Sequence, residues 1–174
     1  MGYTSYWRLS RQISERNYKK LVSDMKQIET FVENITEPSE KFTLHDGLGE
    51  TKGVAYYANS FNFNGDASIN ADHEDFALRL GESEGGFCKT ARKPYDLAVS
   101  LILISLKYHI RSTRITSDGD NDDWRGAFEK WNEIFPNRNF IMRFKAWERD
   151  SKDKDGSLVI VPKGLEYTLE KFSE

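Results

Sequence analysis

"PYDLAVSLILISLKYHI", Pro94 to Ile110, is the stretch on which the fold turns. From Leu97 to Leu106 it is apolar on nearly every side, interrupted only by Ser100 and Ser105. A helix with one apolar stripe lies on a surface, whereas one that is apolar all round has to be covered all round. The run is too short to cross a bilayer, so its cover must come from the rest of the chain. Pro94 suits the first turn, where its missing N–H has no intrahelical partner. The stretch therefore predicts a helix at the centre of one domain spanning residues 1–174.

Working outward, the flanking segments supply that cover. "YTSYWRL", Tyr3 to Leu9, reads as a strand with aromatics on both faces, which places it inside a sheet. Ser14 caps a helix running to about Glu33, with Ile13 and Tyr18 at staple spacing and Tyr18, Leu21, Val22, Met25, Ile28, Phe31 and Val32 along one face. A short strand is expected at Lys41–Leu44, a longer one over "VAYYANSFNFNG", ending in an Asn64–Gly65 turn, and a neighbouring strand over "DFALRLG". "GESEGG", Gly81 to Gly86, reads as a flexible lead. Beyond the central helix come a short strand ending at Asp118–Gly119 and a helix over "DDWRGAFEKWNEIF". "FIMRFKAWERD" and "SLVIVP" form a closing hairpin around the solvated turn "SKDKDG". The order β-α-β-β-α-β-α-β-β predicts an α+β fold, about three helices packed on one largely antiparallel sheet.

Composition narrows the function classes. The 174 residues carry 25 basic and 28 acidic groups, a net charge of −3, which argues against a broad basic face for duplex nucleic acid. A single cysteine, Cys88, excludes an intramolecular disulfide and points to a reducing compartment. No apolar leader follows Met1. The expectation is a cytoplasmic protein without a membrane partner.

The central helix begins with the wrong charges. "FCKTARKPYD" puts Lys89, Arg92 and Lys93 where the helix dipole is already positive, a position that normally favours acids. Either Glu82, Glu84 and Asp96 neutralise the cluster, or an anion sits there. Helix N–H groups with the Thr90 hydroxyl, two ammonium groups and a guanidinium would suit a phosphate, and Tyr95 adds a stacking face.

"GYTSYW", "FNFNG", "FCKTARKPYD" and "SDG" together resemble the motif series of a widespread family of small bacteriophage and prophage proteins, commonly beginning Gly-Tyr-Thr-His-Tyr-Trp. The matching residues are Tyr3, Tyr6, Trp7, Asn64, Gly65, Cys88, Lys89, Thr90, Arg92, Lys93, Tyr95, Asp96, Ser117, Asp118 and Gly119. The resemblance implies a viral origin more than a mechanism. Ser5 stands where the similar sequences have His, which removes a general base or metal ligand and favours binding over chemistry.

The resulting expectation is a phage accessory protein that sequesters a small phosphate-bearing, nucleotide-like ligand, with countering host defence as the role this would serve. Lys89, Thr90, Arg92 and Lys93 would hold phosphate, with Tyr3, Trp7 and Tyr95 as walls and Asn64, Asp96 and Asp118 converging on the same cavity. No cofactor is needed for this. One alternative is a nuclease or phosphodiesterase using Mg on Asp96 and Asp118; another is an inhibitor that binds a host defence protein. Cys88 lacks a sequence-adjacent His and reads as a packing residue. His109, near the end of the central helix, reads as a dipole-compensating charge or a hydrogen-bonded core group. The acids at Asp118, Asp120, Asp122 and Glu129 have calcium-loop spacing, but Asp123 replaces the required Gly; a helix cap explains them.

Overall fold

The computed structural model describes residues 2–138, 140–145 and 157–162. Its elements are β1 (Thr4–Arg8), α1 (Glu15–Glu33), β2 (Ala55–Tyr56), β3 (Ser60–Phe63), β4 (Phe76–Arg79), β5 (Gly85–Lys89) and α2 (Asp96–His109). After these come β6 (Arg114–Ser117), α3 (Asn121–Ile134), β7 (Phe140–Lys145) and β8 (Ser157–Pro162). A five-stranded sheet has the order β5-β1-β6-β8-β7, a smaller one the order β2-β3-β4, and every pairing is antiparallel. The fold is α+β, with two sheets in place of the one expected.

α2 is the centre. Ala98 through Leu106 are all buried, and the helix packs between α1 and α3. Ser105 interrupts the apolar run for a reason: its hydroxyl accepts the Trp131 indole N–H of α3 at 2.9 Å. α1 presents Tyr18, Leu21, Met25, Ile28 and Val32 to the core, and Ser14 caps it by accepting from the Asn17 N–H at 3.3 Å. In α3 the Asp120 side chain and Asp123 form a reciprocal capping box, while Trp124 and Trp131 are buried. Phe61, Phe63, Phe76 and Leu78 of the small sheet join the same core as Trp7 and Ile115 of the large one.

β1 lies inside its sheet, between β5 and β6, as its two aromatic faces require; only Tyr6 and Arg8 face solvent. Several expectations need correction. "VAYYANSFNFNG" is not one strand but a hairpin, in which Ala55 and Tyr56 fold back on Asn62 and Phe61. Lys41–Leu44 is not a strand, and the pairing begins instead at His45, which bridges Lys52 and Asn64. The glycines of "GESEGG" do not make a flexible lead: Gly85 and Gly86 open β5 and lie directly on β1. A Cβ on Gly86 would sit 2.8 Å from the Trp7 ring, so glycine is there for close approach. β7 and β8 pair as the closing hairpin expected, and the turn "SKDKDG" lies outside the described residues.

Gly126 is a helix-interior glycine that packing does not demand, since a Cβ there meets nothing within 4 Å. Gly126→Ala is therefore expected to stabilise the protein by about 1 kcal/mol, the helix-propensity difference, measured by equilibrium urea unfolding.

Candidate functional site

The loop from β5 into α2 is tightly built. The N–H groups of Thr90 and Ala91 both donate to the Tyr3 carbonyl, at 3.0 and 3.2 Å. Ala91 (φ 50°) and Arg92 (φ 58°) are consecutive left-handed residues with side chains, a conformation that costs of order 1–3 kcal/mol each. Thr90 donates its hydroxyl to Asp96 Oδ1 at 2.5 Å. Arg92 Nη1 donates to Asp123 Oδ1 at 2.7 Å, and its guanidinium lies 4.4 Å from the centroid of the Tyr3 ring. Tyr3, Thr90, Arg92 and Asp96 thus gather where α2 and α3 begin. Asp118 is there as well, but its carboxylate accepts the Thr4 N–H at 2.9 Å and so serves β1.

The remaining expected residues go elsewhere. Lys93 turns away to the Asn70 carbonyl at 2.5 Å, and the Lys89 stem lies against Gly2. Tyr95 is fully buried and donates to the Glu74 carbonyl at 2.6 Å, so it offers no stacking face. Trp7 is buried with its indole N–H on Glu82 at 3.3 Å. Asn64 is a loop clamp, its amide donating to the carbonyls of Gly47 and His73 and accepting from the N–H groups of Gly65 and His73.

These contacts reduce the charge imbalance read from the sequence: Arg92 is neutralised, while Lys89 and Lys93 point away from the helix start without an ion pair to a described carboxylate. The neutraliser of Arg92 is Asp123, not Glu82 or Glu84, and the Arg92 hydrogen bond holds the Asp123 carboxyl below the usual range. Asp96 supplies the acid that the first turn of α2 wants; burial pushes its carboxyl up, opposed by the Thr90 hydrogen bond. Cys88 is buried, its thiol pushed up to about 12 chiefly by burial, the environment of a packing residue rather than a nucleophile.

A different helix start keeps its positive charge. Arg11, Arg16 and Lys20, with Gln12, Asn17 and His109, surround a cavity of about 420 Å³ where α1 begins and α2 ends. Among the described residues no carboxylate lines it, and none of the three cationic side chains has an ion pair or hydrogen bond to another of them. Glu15, the acid in the first turn, is taken by Lys19 at 2.7 Å. His109 forms one wall, with its imidazole about nine-tenths buried. Its Nε2 lies 2.9 Å from Asp24 Oδ2, which leaves Nδ1 as the other polar atom of the ring. Asp24 is in turn gripped by both terminal nitrogens of Arg138, at 2.6 and 2.7 Å. Burial pushes the Asp24 carboxyl up, but the Arg138 and His109 bonds outweigh it and the net direction is down.

The sequence carried a signal for this site. Between Arg8 and Lys20 stand five basic residues, Arg8, Arg11, Arg16, Lys19 and Lys20, against one acid, Glu15. That is the same wrong-sign pattern as at α2, masked by the amphipathic regularity of α1.

Searches of protein-family models, curated proteins and solved structures find no match to the chain. Among the described residues no group of three or more His, Cys, Asp or Glu stands where it could hold a metal ion, and no helix is long and apolar enough to cross a membrane.

Proposed function

We propose that the protein binds a small phosphate-bearing ligand, of nucleotide class, in the cavity at the start of α1. The observation that carries this is three cationic side chains around one cavity, with no ion-pair partner and no carboxylate in its wall among the described residues. The N–H groups of the first turn add donors and the positive end of the dipole. Arg11 and Arg16 supply planar forks for phosphate oxygens and Lys20 a mobile charge. Gln12, Asn17 and His109 are the groups left for a sugar or base. In biological terms the reading is sequestration: a phage-type binding protein, the class suggested by the motif series, would hold a host nucleotide out of circulation.

A hydrolytic reading has one observation in its favour. His109 is oriented through Nε2 by Asp24, the arrangement that readies an imidazole for proton transfer. The metal-dependent alternative built on Asp96 and Asp118 has no such support: Asp118 accepts the Thr4 N–H of β1, and no described group of three or more His, Cys, Asp or Glu stands where it could hold a metal ion.

Titration calorimetry with pyrophosphate, ATP and cyclic dinucleotides at low salt tests the reading, followed by chromatography of the recovered ligand. Binding by the wild type should weaken with salt and fall at least about tenfold for each charge removed in Arg11→Gln and Arg16→Gln. Both are surface positions, so the unfolding curves should not move. Affinity unchanged in the double variant would overturn the proposal. Intact ligand supports sequestration, and turnover lost in His109→Gln selects hydrolysis.

A further inference from the structure

The cleft between the beginnings of α2 and α3 is a second cavity, of about 370 Å³, and its charge logic differs from that of the α1 pocket. Its two cations are held on the rim: Arg92 by Asp123 at 2.7 Å and Lys130 by Glu40 at 2.9 Å. Asp96 and Ser100 also line it, one turn apart on the same face of α2.

Ser100 is the telling residue. The residue is 5% exposed, and its hydroxyl, which has no hydrogen-bond partner among the described residues, keeps its access through the cleft that it lines. The other serine of the same helix, Ser105, is satisfied by Trp131. A hydroxyl that opens onto a cleft without an internal partner can pair with a polar group that enters. Beside it, Asp96 has one side-chain hydrogen bond, from Thr90, and so retains acceptor capacity. Opposite, Gly126 leaves a gap in the α3 wall between Asp123, Ala127 and Lys130, a gap that the packing of α3 does not explain. Phe42, Leu97 and Ala127 give the cleft an apolar side.

We infer that this cleft is a second ligand site, taking a small molecule that joins an apolar body to a protonated amine. The ammonium would donate to Asp96 and Ser100, and the body would lie along Phe42 and Leu97 in the space that Gly126 leaves open. An ammonium meets both features of the floor, a carboxylate in a desolvated place and a hydroxyl with a free lone pair. A phosphate would face the like charge of the Asp96 carboxylate. The inference does not depend on the α1 pocket, and its variants and probes are different.

The test is calorimetry on the full chain with 2-phenylethylamine, agmatine and spermidine, using 2-phenylethanol as the uncharged counterpart of the first. At least one amine should bind saturably, and 2-phenylethanol at least tenfold more weakly than 2-phenylethylamine. Gly126→Leu fills the cleft at a helix position where leucine is favoured, so binding should vanish while the melting temperature holds or rises. Ser100→Ala should weaken the amine severalfold. The inference is overturned if no amine binds, if the alcohol binds as well as its amine, or if Gly126→Leu binds unchanged.

Discussion

Arg138→Ala is expected to lower the unfolding free energy by about 3–5 kcal/mol, the range for breaking a buried ion pair by removing one partner. Asp24 lies on the core face of α1 with its side chain 2% exposed, and Arg138 supplies two of its three hydrogen bonds to other side chains. Truncation leaves a buried carboxylate facing His109 alone. It also removes the guanidinium from the Phe135 ring, 3.9 Å below it, and from the Tyr108 ring at 4.8 Å. Acid should act on the two proteins in opposite ways. In the wild type the folded pKa of Asp24 lies below its unfolded value. Its stabilising contribution is therefore complete above about pH 3.9 and lost only as pH falls through the lower, folded value. Without Arg138, burial has less to oppose it and the folded pKa moves upward. The deficit is then largest at neutral pH and shrinks as protonation relieves the stranded charge. Urea unfolding of both proteins at several pH values between neutral and about 4 checks this; a deficit that stays constant would mean that Asp24 is not what Arg138 serves.

Gly85→Ala should be comparably damaging, at least about 3 kcal/mol, because two independent faults coincide. Gly85 has φ +105°, outside the range that side-chain-bearing residues adopt, and its Cβ would sit 2.1 Å from the Trp7 carbonyl oxygen. That oxygen belongs to the backbone of β1, an interior strand of the large sheet, and cannot swing aside. Gly81→Ala is the control. Its φ of +79° is also left-handed, but its Cβ meets nothing within 4 Å, so only the conformational cost of about 1–2 kcal/mol applies. Equal losses for the two variants would show that close approach at Gly85 does not matter. The same glycine illustrates how a composition signal misleads: Gly-rich "GESEGG" reads as flexible, yet two of its three glycines, Gly85 and Gly86, lie where another chain segment passes too near for a Cβ.

Legibility in the sequence followed the range of the interaction. The Ser14 cap, a cap among the acids that precede α3 and the all-round burial of α2 were each readable, since the residues involved lie within a few positions of one another. The hairpin inside "VAYYANSFNFNG" was not, because Tyr57 to Asn59 lack a strong turn signature and the break comes from pairing with β4. The role of Asp24 was hidden as well. A lone acid on an apolar helix face gives no local sign of its partner, and Arg138 lies 114 residues away.

By itself, the sequence determined the number of helices, their caps and faces, the central place of α2 and the interior place of β1. These follow from periodicities and short-range hydrogen bonds that any packing must respect. Where positive charge survives was left to the tertiary structure. Arg92 is cancelled by an aspartate 31 positions away, while Arg11, Arg16 and Lys20, no more conspicuous in the chain, are left around an open cavity with no acid in its wall. Neutralisation depends on distances of a few ångströms between side chains, and only the folded chain sets those distances.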